Sequence, residues 1–283
     1  MEIHTIGVCG AGTMGRGIAL TAALAGFSTI LYDLNEEALE NAQLQNRKDL
    51  QKMTDKGRLA ADQLKKTESL ICYTNQTDKL IADIFIEAII EKTAPKVALL
   101  NQLAGLNKTD CILATNTSSL SVSAIAKQVP NPERVIGLHF FNPATIMKLV
   151  ELVTTPFTNA TVRDKAHQLI ERLGKTPVNC SDAPGFIVNR VARPFYIESL
   201  RLAEEKLASF EQIDRILESA GFRMGPFRLM DLIGNDINYA VSCSVYEQLG
   251  KPARLLPSFI QQKLVQEGKW GQKSGEGYYS YGS

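Results

Sequence analysis

Two sets of residues in this sequence have the types and the spacing to do chemistry. The first is Gly10-Ala11-Gly12-Thr13-Met14-Gly15, with Asp33 further along. In a G-x-G-x-x-G turn the first glycine permits a tight bend and the second lets a pyrophosphate approach the backbone. The third lets helix and strand pack closely, and an acid follows about 20 residues later. Thr13 and Met14 join Gly10, Gly12 and Gly15 as candidate cofactor contacts. A helix opening here offers free N–H groups and partial positive charge to phosphates. A carboxylate at Asp33 accepts from ribose hydroxyls and repels a 2′-phosphate, and Leu34 and Asn35 supply no arginine to hold one. NAD is therefore expected over NADP. The alternative is a purely structural turn with Asp33 as a helix cap. Arg16 is expected in solvent or facing the pyrophosphate.

The second set centres on His139, one of three histidines; His4 and His167 lie in settings that look incidental. His139 follows the apolar run 135–138, and Glu151 sits inside another at 149–153. A buried carboxylate is costly unless paired. If the two runs pair antiparallel about 142–147, one register opposes His139 to Glu151, 140 to 150 and 141 to 149. A carboxylate beside an imidazole fixes its tautomer and raises its pKa, giving a base usable near neutral pH. The same spacing suits a structural ion pair.

These residues need elements to position them. Apolar runs of strand length occur at 5–8, 29–32, 70–73, 84–88, 112–114 and 135–138, most of them separated by helical patterns. That is the signature of a parallel sheet made of βαβ units. Ligands of such sheets sit outside the carboxyl ends of the strands. Glu91 and Lys96 follow the fourth run, Asn116 to Ser119 the fifth, and Asn142 lies just beyond His139. Ser118 and Ser119 serve equally well as caps for a helix at 120–128. Residues 35–69 form a long polar insert of helix-favouring composition broken at Gly57, which predicts a helical hairpin. From residue 184 the spacing is helical, interrupted at Gly221, Gly225-Pro226, Gly250 and Gly268. The expected architecture is a Rossmann-type, doubly wound, mostly parallel α/β domain over 1–183 and a smaller all-α domain over 184–283.

The bulk properties agree. At roughly 150 residues per domain, 283 residues make about two domains. A net charge of +1 leaves no cationic field for nucleic acid or an anionic membrane. Residues 17–32 carry no charge but are too few to span a bilayer, and the N-terminus lacks a signal-peptide pattern. Five scattered cysteines, never in a C-x-x-C pair, argue for a reducing compartment, and a cytoplasmic protein without a metal is expected.

Together these motifs resemble the 3-hydroxyacyl-CoA dehydrogenases nearly end to end. The markers are GAGTMGRGIA (10–19), EAIIE (87–91), TNTSSL (115–120) and GLHFFNPATIMKLVE (137–151). DAPGFIVNR (182–190), MGPFRLMD (224–231) and GQKSGEGYYSY (271–281) continue them. The resemblance implies that His139 is the catalytic base and Glu151 its orienting partner. Ser118 and Asn189 are implied to meet the substrate hydroxyl, Asn189 reaching from the second domain. Asn142 matches the same site, Glu91 and Lys96 match positions near the cofactor, and Asn116 is grouped with them. Spacing alone makes Asn189 an exposed residue early in a helix.

The insert matches the part of the family that meets coenzyme A. Residues 47–66 carry seven basic side chains, Lys48, Lys52 and Lys56 among them, against three acidic ones. A solvated helix face explains any single lysine as well. The resemblance further implies a homodimer through the second domain and a place in fatty-acid β-oxidation. Thr115 stands where the family commonly has Ser, and Ala144-Thr145-Ile146 replaces a more Pro-rich turn. The expected reaction is NAD-dependent oxidation of a 3-hydroxyacyl-CoA of the 3-hydroxybutyryl-CoA kind. The alternatives are 3-hydroxyadipyl-CoA, which 221–238 resembles in similar enzymes, and free 3-hydroxy acids. GQKS at 271–274 lacks the glycine a phosphate loop needs and is read as a structural turn.

Overall fold

The structure, a computed structural model, describes residues 2–282 and divides into two compact units, Met1–Asp182 and Ala183–Ser283. In the first, eight strands form one sheet: β1 (Thr5–Cys9), β2 (Ser28–Tyr32), β3 (Ile71–Thr74), β4 (Ile84–Glu87), β5 (Ile112–Thr115), β6 (Val135–Phe140), β7 (Leu149–Thr154) and β8 (Thr176–Ser181). Their order is β3-β2-β1-β4-β5-β6-β7-β8. Every neighbouring pair is parallel except β6 and β7. Ile6, Val8, Ile84, Phe85, Ile86, Leu113 and Ala114 are fully buried, as strands covered on both faces require. The chain winds outward in both directions from β1 and β4, which puts the ligand crevice at their carboxyl ends.

The helices of this unit are α1 (Thr13–Leu24), α2 (Glu36–Asp55), α3 (Ala61–Ser69), α4 (Thr93–Leu106), α5 (Val122–Ala126) and α6 (Ala160–Arg172). The insert is a helical hairpin turning at Gly57. Asn35, not Asp33, caps α2, accepting from the Ala38 N–H, and the helix buries Leu39, Ala42, Asn46 and Leu50 at helical spacing.

The structure departs from expectation at α5 and β8. α5 starts later than 120, and Ser121 is its cap, so neither Ser118 nor Ser119 serves that purpose. Asp182 fixes this start by accepting from the Ser121 hydroxyl at 2.8 Å and from the Val122 and Ser123 N–H groups at 3.2 and 2.8 Å. Strand β8 was not expected. It reads Thr-Pro-Val-Asn-Cys-Ser, mostly part-exposed, and as an edge strand it tolerates Pro177.

The second unit is built from α7 (Val188–Glu204), α8 (Phe210–Ser219), α9 (Pro226–Ile233), α10 (Asn235–Gln248) and α11 (Phe259–Gln266). Tyr196, Leu200, Ile213, Phe227, Met230 and Tyr278 form its main core. The buried Asp231 accepts from the Tyr278 and Tyr279 N–H groups and the Tyr281 hydroxyl, pinning the C-terminal segment. Gln272–Ser274 is thus one short turn of that tail. Among the described residues no helix is long and apolar enough to cross a membrane.

Replacing Asp182 by Ala leaves two amides and a hydroxyl at the start of α5 without their acceptor. We expect a loss of about 1–3 kcal/mol in denaturant unfolding, seen as a lower midpoint at unchanged m-value.

Candidate active site

The first turn of α1 is shaped by steric limits on its glycines. Gly10 has φ of +105°, which L side chains rarely adopt, and its N–H donates to Tyr32 O at 2.7 Å. A Cβ on Gly15 would fall 1.8 Å from Gly10 O, so loop and helix approach closely only with glycine there. A Cβ on Gly12 would meet nothing within 4 Å, which leaves the backbone bare on that side. Gly12 caps α1 without a side chain, and no acid occupies the first turn, so the helix terminus keeps its positive end. Asp33, just past β2, accepts from Ala11 N–H at 2.7 Å and Asn35 N–H at 3.0 Å, which holds its carboxylate against the loop. A bare glycine face, a helix N-terminus and a fixed carboxylate fit a dinucleotide with a free ribose. Arg16 lies elsewhere than expected, donating to Asp49 at 2.6 Å and Asn46 at 3.0 Å on α2. Cys9 ends β1 close by, but burial and the neighbouring Glu87 push its thiol up, which removes it as a nucleophile.

Glu87 ends β4 with no exposure to water. Its Oε1 accepts from Lys96 Nζ at 2.6 Å and Ile89 N–H at 2.7 Å, and Oε2 from the Thr115 hydroxyl at 2.7 Å. The Lys96 ammonium, 1% exposed, also lies 3.2 Å from Glu91 Oε2. Lys96 therefore acts on the site through these two carboxylates. The other oxygen of Glu91 accepts from the Thr117 hydroxyl, the Ser118 N–H at 3.0 Å and the Ser119 hydroxyl at 3.1 Å. Burial alone would raise the Glu91 carboxyl, but Lys96 and the hydrogen bonds from Thr117 and Ser118 hold it below the usual range. Sequence reasoning passed over Glu87 itself. The available signal was an acid closing an apolar strand shortly before a lysine.

His139 and Glu151 face each other across β6 and β7, in the register that also pairs Phe140 with Val150; β6 stops before residue 141. The His139 Nδ1 and a Glu151 oxygen are 2.7 Å apart, with Glu151 at 0% and His139 at 6% exposure. A carboxylate on Nδ1 sets the tautomer and orients the ring. The Phe141 ring packs 4.5 Å from the imidazole, centroid to centroid. Asn116 ties this pair to the Glu87 cluster. Its N–H donates to Glu87 O at 2.8 Å, and its side-chain oxygen accepts from Phe140 N–H at 2.8 Å.

Asn142 is exposed on the loop that joins β6 to β7. The buried Lys175 supports that loop, donating to Ala144 O and, at 2.8 Å, to Met147 O. Lys48, Lys52 and Lys56 are exposed and lie along one face of α2. Asn189 stands in the first turn of α7 in the second unit.

A dinucleotide cradle at the switch point of a doubly wound sheet, with a buried His–Glu pair two strands away, defines an NAD-dependent dehydrogenase. Sequence profiles of two families match the chain: "3-hydroxyacyl-CoA dehydrogenase, NAD binding domain" over residues 5–183 and "3-hydroxyacyl-CoA dehydrogenase, C-terminal domain" over 185–281. The 3-hydroxyadipyl-CoA dehydrogenase of Escherichia coli K12 is 47% identical over 99% of this chain, which spans 60% of that protein. The probable 3-hydroxybutyryl-CoA dehydrogenase of Bacillus subtilis is 38% identical, with 99% of this chain and 98% of that one covered. The crystal structure of (S)-3-hydroxybutyryl-CoA dehydrogenase from Ralstonia eutropha superposes with a TM-score of 0.95 at 33% identity, covering 100% of both chains. The chain belongs to the 3-hydroxyacyl-CoA dehydrogenase family, and its cofactor is NAD.

Replacing Lys96 by Met leaves Glu87 as a buried, uncompensated carboxylate. The expected cost is about 3–5 kcal/mol of stability at neutral pH. Denaturant unfolding at neutral pH, compared with wild type, checks the size.

Proposed function

We propose that this chain reversibly oxidises a 3-hydroxyacyl-CoA to the 3-ketoacyl-CoA. The observation that carries the reading is the buried His139–Glu151 pair at 2.7 Å. The Gly10–Gly15 turn and Asp33 would hold NAD, which would supply the acceptor for the hydride leaving C3. His139 takes the hydroxyl proton at Nε2 in that direction and returns it in the other. Glu151 holds the ring through Nδ1 and stabilises the imidazolium that forms. Ser118 and Asn189 hydrogen-bond the reacting oxygen, so much of the rate comes from positioning. Glu91 gathers the Ser118–Ser119 turn, and Asn116 fixes the end of the strand that carries His139. The lysines at 48, 52 and 56 meet the anionic part of coenzyme A.

Two acyl classes fit this chemistry. A short monocarboxylic chain, as in 3-hydroxybutyryl-CoA, agrees with the names of the Bacillus and Ralstonia relatives. A dicarboxylic chain, as in 3-hydroxyadipyl-CoA, agrees with that of the Escherichia coli relative, which is more similar in sequence. The helical unit exposes Val191, Leu232, Ile237 and Phe259, at 71%, 51%, 50% and 64%, which supports a homodimer through that unit. Free cysteines at all five positions suit action in the cytoplasm, with fatty-acid β-oxidation as the setting.

His139→Gln should lower kcat by about 10²–10⁴-fold while NAD still binds. Near wild-type turnover refutes the assignment. NADH formation from a 3-hydroxyacyl-CoA but not from the free 3-hydroxy acid separates this reading from a dehydrogenase of free acids. Light scattering at working concentration should give a dimer, and a monomer sinks that part of the proposal.

A further inference from the structure

The helical unit contains a buried cation with no anion. Arg193, on α7, is 2% exposed. Among the described residues, the groups that face its guanidinium are neutral. Nε donates to Asn189 O at 3.1 Å, and Nη1 donates to Asn238 O at 2.9 Å and the Ser242 hydroxyl at 2.8 Å. The Tyr196 ring lies 4.9 Å from the guanidinium carbon. Burial pulls the guanidinium down to about 10, a sign of how poorly the charge is offset.

The hydrogen-bonded network around the arginine does lead to a carboxylate, but to one already in use. From Asn238 it runs through Gln261 to Asn235 and then to Asp231. Asp231 is taken up by Asn235 and by the C-terminal tyrosines. Beside the cation is a second unsatisfied donor. The Asn238 side-chain nitrogen is buried, in a residue 1% exposed, and has no hydrogen-bond partner. Its carboxamide oxygen is 3.4 Å from Arg193 Nη1, so orphan amide and guanidinium stand side by side.

A pin between α7 and α10 does not need a charge. A neutral side chain would join the same carbonyls at far lower desolvation cost. A ligand carboxylate would supply the charge-assisted acceptor that the cation and the orphan amide both lack. Its place along the helix suggests which anion. Arg193 lies one turn, about 5.4 Å, beyond Asn189, and Asn189 is the residue proposed to hold the oxygen on C3. In a six-carbon diacid the distal carboxyl carbon is three bonds beyond C3, a reach of the same order.

We propose that Arg193 and Asn238 form a carboxylate-recognition site, which receives the distal carboxylate of a dicarboxylic 3-hydroxyacyl-CoA and sets acyl specificity. This rests on the reaction proposed above and chooses between its two acyl classes. Arg193 is a specificity residue here; the reacting atoms remain with His139.

The test compares six-carbon thioesters that differ only at the far end. The wild-type enzyme should oxidise 3-hydroxyadipyl-CoA with kcat/KM at least about 10²-fold above that for 3-hydroxyhexanoyl-CoA, because a methyl group leaves the cation without a counter-charge and the Asn238 amide without an acceptor. In calorimetry adipyl-CoA, which cannot react, should bind correspondingly tighter than hexanoyl-CoA. Arg193→Met should collapse the kcat/KM ratio by about 10²-fold, with Arg193→Lys restoring part of it. A structural arginine would lower both substrates in parallel and leave the ratio unchanged, which overturns the proposal. So does a wild-type enzyme that turns over or binds both thioesters equally well, a comparison that requires no variant to fold. Turnover of neither thioester defeats the proposed reaction, while calorimetry still reports on the carboxylate site.

Discussion

A carboxylate that never meets water organises the cofactor-binding unit. Glu87 stands where β4 ends, at the point where the sheet changes winding direction, with all its ligands supplied by the chain. Ion pairs this deep are not obvious sources of stability, since desolvation consumes much of the Coulomb gain. Breaking one is expensive, however, so the elements that contribute partners are fixed relative to one another. α4 must bring Lys96 to β4, β5 must bring the Thr115 hydroxyl, and the turn after β4 must present the Ile89 N–H. Through Lys96 the constraint passes to Glu91 and the serine turn; through Asn116 it reaches the last residue of β6. The Glu87 cluster and the His139–Glu151 pair thus share one rigid support.

The single antiparallel pairing in the sheet has a different purpose. Side chains alternate with a period of two along a strand, so a slip of one residue would send Glu151 to the opposite face. The observed register puts the carboxylate directly opposite the imidazole, both inside the sheet layer. A loop between two parallel strands would need a long crossover, whereas an antiparallel neighbour can return within a few residues. The return loop is held from below by Lys175, whose own burial lowers its ammonium below the usual range. Precise placement of the imidazole is therefore a backbone property, with side chains securing the ends.

Legibility in the sequence followed burial and locality. β1 and β4 to β6 are short apolar runs, as strands covered on both faces must be, and the hairpin shows as helix-favouring composition around one glycine. The His139–Glu151 pair was readable because an acid inside an apolar run demands a partner. β8 was not readable: half its residues are polar, and its reason to be a strand is the backbone of β7, far away in sequence. Serines at 118 and 119 look like caps and predict too early a start for α5, while the groups that set its start, Ser121 and Asp182, are joined only in the fold. Asn189 by itself looked like any polar residue early in a helix, and only the family resemblance drew attention to it. Arg193 was hidden for a related reason: α7 also carries Arg190 and Arg201, and amphipathic spacing does not tell which arginine turns inward.

The two units handle buried charge differently, and the difference carries functional information. In the first, Glu87 and Lys96 neutralise each other, and Glu151 faces the His139 imidazole. In the second, the buried acids Asp214 and Asp231 accept from backbone N–H groups and tyrosine hydroxyls, so their charge is spread over fixed dipoles. Arg193 has received neither treatment, because carbonyl and hydroxyl dipoles solvate a cation without cancelling it. Arg134 and Lys175 are also buried cations held by carbonyls alone, so what sets Arg193 apart is the unpartnered Asn238 amide beside it and its place one turn from Asn189. For a dehydrogenase whose relatives divide between monocarboxylic and dicarboxylic thioesters, an uncancelled positive charge one helical turn from Asn189, the proposed substrate contact, is the feature that favours the diacid.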